Sequence, residues 1–111
     1  MLQLATPIPS QVIVPGSTFT MSIHVHDTEG NNFNWSGYVP KMTVTVGSVS
    51  FTATGTVISQ AGGTASFLIA SSVTLTLPNN AWGMLVLFAD PVDTNNRHIA
   101  TILCRTTSEE I

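Results

Sequence analysis

Short runs of alternating apolar and polar residues recur along this chain of 111 residues. The clearest examples lie at 20–25, 41–46, 50–54 and 64–69. Strict alternation over a few residues is typical of a β-strand with one buried face and one outer face. The pattern therefore predicts strands whose inward positions are Phe19, Met21, Ile23 and Val25 in the first run and Met42, Val44 and Val46 in the second.

The remaining apolar runs predict further strands. Residues 49–58 form one with a bulge or kink at Gly55, and residues 71–77 alternate so that Val73, Leu75 and Leu77 share a face. The continuous apolar run at 82–89 indicates a strand buried on both faces, and residues 97–106 form the last strand. Turn-forming residues separate these runs, at 15–16, 27–32, 47–48, 60–63, 78–80 and 90–96. Short strands at regular spacing with no convincing helix predict an antiparallel β-sandwich.

Three prolines set the first 15 residues apart. Because proline cannot donate a ladder hydrogen bond, this stretch is predicted to be an extended arm, with residues 11–14 pairing at a sheet edge. An extended arm of this length spans ~50 Å, enough to reach a neighbouring protomer and add a strand to its sheet. The predicted organisation is an arm at 1–15, a sandwich at 16–107 and a tail at 108–111.

Charge is scarce, at 8% of residues, against about 25% in ordinary soluble domains. Three basic residues, Lys41, Arg97 and Arg105, cannot neutralise a phosphate backbone, which argues against nucleic-acid binding. The longest apolar run, 84–89, is far too short for a membrane span, and the N-terminus does not resemble a signal peptide. A threonine-rich outer face with little charge suits packing beside protein neighbours.

The single cysteine, Cys104, excludes an intrachain disulfide and a zinc finger. This usage suits assembly in a reducing cytosol. Because Arg105 must face the opposite way in a strand, Cys104 is predicted to be buried and inert.

Two histidines, His24 and His26, point to the same face of one strand. They could present two imidazoles to one metal, with His98 as a third ligand and Asp27 or Asp90 as a carboxylate. A pair from each of two protomers could also complete a zinc or nickel site. The favoured interpretation is ordinary surface or interface histidines, with no bound metal or cofactor.

Asp27, Glu29 and Asn31 alternate around Gly30 in a way that resembles a calcium loop. The glycine placement and the terminal glutamate of that motif are absent. An acidic β-turn is therefore the favoured interpretation.

The large amphipathic aromatics are Trp35, Tyr38 and Trp82. Trp82 is predicted to lie in the core, because it opens an apolar run. Trp35 could lie at the core edge or on a contact surface. Together with Tyr38, Asn32 and Asn34 it forms the predicted interaction surface, which could also contact a glycan.

Motifs of catalysis are missing: no nucleophile elbow, phosphate-binding loop or dinucleotide fingerprint occurs. The six carboxylates lie in predicted loops and in the tail, so no buried acid–base pair is evident. The chain is predicted not to be an enzyme.

A strand opens with PGSTF at 15–19 and runs into an acidic turn, HDTEGN at 26–31, before WSGY at 35–38. Later come GGTASF at 62–67, NAW at 80–82 and a closing strand at 99–106. Over residues 12–107 this order resembles the immunoglobulin-like domain near the start of tailed-phage baseplate upper proteins and tail-fibre adaptors. The resemblance implies an all-β, antiparallel, immunoglobulin-like β-sandwich of about seven to eight strands with no significant helix.

The resemblance also implies a role. Such domains hold a fibre or receptor-binding protein to a tail or baseplate, usually within a symmetric oligomer. The expected partners are other virion proteins and copies of the chain itself, in a virion assembled in the bacterial host cytoplasm. Two alternatives stay open: a carbohydrate-binding β-sandwich module, and a capsid decoration or neck protein.

Overall fold

The computed structural model describes residues 2–90 and 98–107, which contain nine strands and one short helix. The predicted tail at 108–111 and most of the predicted loop at 90–96 lie outside the described residues. The strands are β1 (Gln3–Leu4), β2 (Gln11–Ile13), β3 (Phe19–His26), β4 (Val39–Val46), β5 (Val49–Thr54), β6 (Thr56–Ser59), β7 (Thr64–Ile69), β8 (Trp82–Asp90) and β9 (Ala100–Thr106), and the helix is α1 (Ser71–Thr74).

The strands form two sheets. Sheet I has the order β1-β3-β7-β6, and sheet II has the order β2-β9-β8-β4-β5. The predicted all-β sandwich is confirmed. The pairing is antiparallel except between β2 and β9, which run parallel. Across the described residues, no helix is long and apolar enough to cross a membrane.

The core lies between the inner faces of the two sheets. Every second residue of β3 and of β4 is buried, which confirms the alternation predicted for both strands. Each fully buried large apolar side chain stabilises the folded state by about 1.5–3 kcal/mol, because it is removed from water. The buried set includes Met21, Ile23, Val25, Met42, Val44, Val46, Phe67, Leu85, Leu87 and Ile102.

The N-terminal segment is not a separate arm. β1 pairs with β3 at the edge of sheet I, and β2 pairs with β9 at the edge of sheet II. Leu2 and Ile13 are both buried. The prolines lie at 7, 9 and 15, between and after the two short strands, so they interrupt the pairing without preventing it. The predicted edge pairing at 11–14 is confirmed at β2.

The predicted strand at 71–77 is wrong, because this stretch begins with α1 and continues as turns. Val73 and Leu75 are exposed, whereas Thr74 and Leu77 are buried. Burial three residues apart follows a helical period and not a strand's period of two. The hydroxyl of Thr74 donates to the Ser17 carbonyl at 2.7 Å and accepts from Gly16 N–H at 3.1 Å. These tertiary hydrogen bonds hold the turn against the start of β3.

Replacing Thr74 by valine should cost about 2 kcal/mol of stability, since it leaves the partly buried Gly16 and Ser17 groups without this partner. Urea denaturation measures the loss. The control is Thr76→Val, which removes an exposed hydroxyl and should stay within about 0.5 kcal/mol of wild type. Equal losses in both variants would contradict the bridging role of Thr74.

Gly55 marks the place where the chain changes sheets. The single strand predicted at 49–58 is two strands, because β5 belongs to sheet II and β6 to sheet I. A Cβ atom on Gly55 would lie 2.7 Å from the Ser66 carbonyl oxygen. The crossing therefore requires a residue without a side chain, and the predicted kink at Gly55 is confirmed.

Candidate functional site

The apolar run of β8 is buried on one face only. Leu85, Leu87 and Ala89 lie in the core, whereas Trp82 and Met84 are 63% and 49% exposed. The predicted burial of this strand on both faces is therefore wrong. β8 is central within sheet II, but among the described residues a second layer, sheet I, covers only its inner face. The run puts apolar side chains on the outer face as well.

Strand register defines what we call the outer face of sheet II. Met84 pairs with Leu103 on β9 and with Thr45 on β4, and Val86 pairs with Thr101 and Thr43. The face comprises Val12, Val39, Lys41, Thr43, Thr45, Ser50, Thr52, Thr54, Trp82, Met84, Val86, Phe88, Asp90, Thr101, Leu103 and Arg105.

The middle of this face is apolar or carries hydroxyl groups. Thr43 and Thr52 hydroxyls lie 3.3 Å apart across two strands, and those of Thr45 and Ser50 lie 3.2 Å apart. Cross-strand hydroxyl pairs of this kind stabilise adjacent strands. Because these hydroxyl groups are hydrogen-bonded to each other, they do not require water as their partner on this side of the face.

Charge lies at the two ends of the face. Arg105 lies level with Trp82 at the start of β8, and Asp90 ends that strand. Lys41 pairs with Phe88, near the same end as Asp90. The charged side chains of this face, among the residues described, are these three.

Trp82 is the largest side chain on the face. Its predicted place in the core is wrong, because it shares strand parity with exposed Met84 and not with buried Leu85. The guanidinium carbon of Arg105 lies 5.9 Å from the centre of the indole ring, within the range of a cation–π contact. Both side chains are thereby held near one end of the outer face of sheet II.

Trp35 occupies the position expected of a core residue. It is 1% exposed, and its ring meets Phe33 edge to face at 4.9 Å. Its indole Nε1 has no hydrogen-bond partner in the described part of the chain, so packing holds the ring. The prediction of Trp35 as an interaction-surface residue is wrong, because this loop segment turns inward although it has no strand-like pattern.

The other members of that predicted surface are only partly available. Tyr38 is half-buried, with its ring 5.2 Å from Phe33. Asn32 and Asn34 are exposed, but Asn34 Oδ1 accepts from Ser36 N–H at 2.9 Å. A contact role for these three residues stays a prediction.

The two tryptophans should give opposite fluorescence behaviour. In dilute solution, the Trp82→Phe variant is expected to keep a blue-shifted emission that iodide quenches weakly, because buried Trp35 is its only indole. The Trp35→Phe variant should emit at longer wavelength and be quenched strongly. Comparable quenching of the two variants, with circular dichroism showing both folded, would contradict the assigned burial.

His24 and His26 share a face of β3, with ring centres 5.0 Å apart. The Nε2 atom of His24 lies 2.7 Å from Asn32 Oδ1, so that nitrogen has a protein partner. His98 precedes β9 in the other sheet and contacts the Thr101 hydroxyl at 2.8 Å. No three His, Cys, Asp or Glu side chains converge within residues 2–90 and 98–107. The alternative with His98 as a third metal ligand is therefore wrong. The favoured interpretation of His24 and His26, ordinary surface or interface histidines, stays a prediction.

Asp27 closes its own turn. One carboxylate oxygen accepts from the backbone N–H of Glu29 at 2.9 Å and of Asn31 at 3.0 Å. The acidic β-turn predicted here is confirmed. Both hydrogen bonds go to the same carboxylate oxygen, Oδ1, and close the turn.

Cys104 is buried, as predicted. Removal from water raises the pKa of its thiol, because burial disfavours the thiolate. The uncharged thiol is a poor nucleophile, which supports an inert cysteine.

An apolar cleft of about 470 Å³ lies between the proline-rich link at 6–9 and sheet I. Ser22, His24 and Ile58 line its other side. Its single titratable side chain, His24, is already bound to Asn32. The cleft therefore presents no cluster of chemical groups, and the outer face of sheet II is the stronger candidate site.

No protein-family model matches this sequence, and no curated protein is significantly similar to it. The chain's own residues, above all those of the outer face of sheet II, are therefore the basis for inferring its function.

Proposed function

We propose that this chain is a non-enzymatic structural component of a tailed-phage virion, placed at the attachment point of tail, baseplate or fibre. Its work is to bind protein neighbours through the outer face of sheet II. The observation that carries the proposal is the set of exposed apolar side chains on that face: Val12, Trp82, Met84 and Leu103, which are between 49% and 63% exposed.

These side chains form one patch. Val12 pairs with Arg105, which pairs with Trp82, and Leu103 pairs with Met84 in the next row. Protein interfaces have cores poor in charge and rich in tryptophan, methionine and arginine. Contiguous apolar patches on a monomer mark binding sites more often than single exposed residues do. The composition of the face supports a role in protein–protein contact.

Sheet topology supports the immunoglobulin-like part of the proposal. An immunoglobulin domain of the variable type has strands ABED in one sheet and the C′ strand added to the GFC sheet. Labelling β3 as B and β4 as C gives A-B-E-D for sheet I. Sheet II then has the order G-F-C-C′, with β2 added beside G. This correspondence supports the resemblance noted in the sequence.

The carbohydrate-binding alternative loses its main support, because the indole of Trp35 is buried and cannot stack on a sugar ring. A capsid decoration or neck protein would use the same kind of protein contact. The two structural roles differ in where the chain lies on the particle.

Immunogold electron microscopy tests the proposal. Antibodies raised against the purified chain are applied to phage particles released from cells that encode it, with pre-immune serum as the control. Label on tails or baseplates is the expected result. Label on capsids or necks would replace the attachment role by the decoration or neck role, and particles without label would contradict a virion component.

A further inference from the structure

We propose that the outer face of sheet II is covered by a second copy of this chain, packed face to face about a two-fold axis with the two β8 strands antiparallel. This inference rests on the proposed assembly function and specifies its partner. It follows from the order of residues on the face, from the position of its charges and from its size.

The order of residues is self-complementary. A two-fold axis across the strands at Val86 places Met84 of one copy opposite Phe88 of the other, and Val86 opposite itself. Thr45 then meets Lys41 of the partner, since Thr43 lies level with Val86. A two-fold interface requires one patch to fit its own copy. Here Met84, Val86 and Phe88 form an apolar row along β8 that meets the same row of the second copy, while Trp82 meets the second copy's Asp90.

The charges favour the antiparallel arrangement. Arg105 lies at one end of the face and Asp90 at the other, about 26 Å apart along a strand direction at ~3.3 Å per residue. Antiparallel packing brings each Arg105 toward the partner's Asp90, twice per dimer. Parallel packing about an axis along β8 would place Asp90 opposite Asp90 and each Arg105 opposite β4 of the second copy, away from Asp90. Like charges in contact oppose association.

Lys41 does not disturb this pairing. It lies on β4, whereas Arg105 lies on β9, on the other side of β8. In the antiparallel arrangement it meets the hydroxyl row and not the partner's Arg105.

The size of the face suits a weak dimer. The five strands of sheet II have 3, 7, 9, 8 and 6 residues, which gives a flat area of roughly 500 Å². Standard interfaces bury about 800 Å² per partner, and smaller ones are typical of transient complexes. We therefore expect reversible self-association, visible as a concentration-dependent mass.

The outer face of sheet I supplies a matched control. Ile58 is 62% exposed, close to the 63% of Trp82. It lies on β6 at the edge of sheet I, where it lines the cleft with Ser22 and His24. A charge at Ile58 therefore alters an exposed apolar side chain without touching the proposed interface.

Sedimentation velocity over a range of micromolar concentrations tests the inference. The wild-type mass should rise from that of the 11.8 kDa chain toward twice that value. Met84→Lys and Leu103→Lys should each weaken association at least about tenfold, as expected at the centre of an interface. Ile58→Lys should associate like wild type, and thermal unfolding followed by circular dichroism checks that each variant is folded.

A charge exchange tests the antiparallel order. Arg105→Asp and Asp90→Arg should each weaken association, and the double variant should regain most of it. A double variant as weak as the weaker single variant would overturn the antiparallel arrangement. A wild-type chain that is monomeric throughout, or an Ile58→Lys variant as weak as Met84→Lys, would overturn the interface.

The failure of this inference is distinguishable from the failure of the proposed function. A monomeric chain that nevertheless labels phage tails would overturn the second copy as partner and leave the attachment role. A dimer that disappears in the Met84→Lys variant, with unlabelled particles, would support the interface and overturn the virion role.

Discussion

The Gly63→Ala variant is expected to lose roughly 3–5 kcal/mol of stability, the combined cost of backbone strain and overpacking. Gly63 has φ +72°, a conformation that L-residues rarely adopt. A Cβ atom there would lie 2.5 Å from the Val25 carbonyl oxygen and 3.1 Å from Phe33 N. Because that carbonyl accepts from Phe33 N–H at 2.9 Å, neither group can move without breaking the bond. Urea denaturation measures the loss.

Gly37→Ala is the matched control. Gly37 has φ +82°, but no atom lies within 4 Å of the added Cβ. This variant carries the backbone strain alone and should lose about 1 kcal/mol. Since a domain of this size is stable by about 5–15 kcal/mol, the two variants should separate clearly. Equal losses would show that the contact with Val25 and Phe33 is absent.

The Leu85→Ala variant is expected to lose about 3–5 kcal/mol, within the range for truncating a leucine in a packed core. Leu85 is fully buried and lies between Val44 and Ile102 in the middle of sheet II. The truncation removes transfer free energy and leaves a cavity. The midpoint of chemical denaturation, at unchanged slope, reports the change.

Leu68→Ala makes the same chemical change on an exposed side chain and should cost less than about 0.5 kcal/mol. A loss at Leu68 comparable with that at Leu85 would place the core elsewhere. Together the two leucines test which face of each sheet is buried.

The strands with strictly alternating apolar and polar residues could be predicted, because this alternation shows directly which side chains are buried. β3 alternates from Phe19 to His26, and its sequence alone separates core from surface. The helix at Ser71–Thr74 could not be found this way, because Thr74 is buried by hydrogen bonds to residues more than 50 positions earlier. β1 was also hidden, since the two residues Gln3–Leu4 carry too little pattern, whereas β2 could be predicted as an edge pairing at 11–14.

The candidate site was missed for a related reason. An apolar run such as that of β8 fits a strand covered on both faces equally well as one with a free apolar face. The two cases differ in whether a second layer of structure covers the outer face of the sheet, and the sequence of β8 alone does not show this. The burial of the two tryptophans was predicted the wrong way round for a similar reason. Trp82 begins β8 at a position that faces outward, whereas Trp35 enters the core from a loop. The low charge of the chain was the usable signal, because it predicted a surface suited to protein neighbours.

Hydroxyl-radical footprinting of the chain in its native assembly tests most directly whether the outer face of sheet II is its contact surface. Oxidation of Met84 and Trp82 is compared by mass spectrometry between the isolated chain in dilute solution and the purified assembly. Exposed methionine readily forms the sulfoxide, and buried Met42 serves as the internal reference. Strong protection of Met84 and Trp82 in the assembly, with exposed Ile58 unchanged, is the expected result. Equal oxidation of Met84 and Trp82 in both states would contradict it.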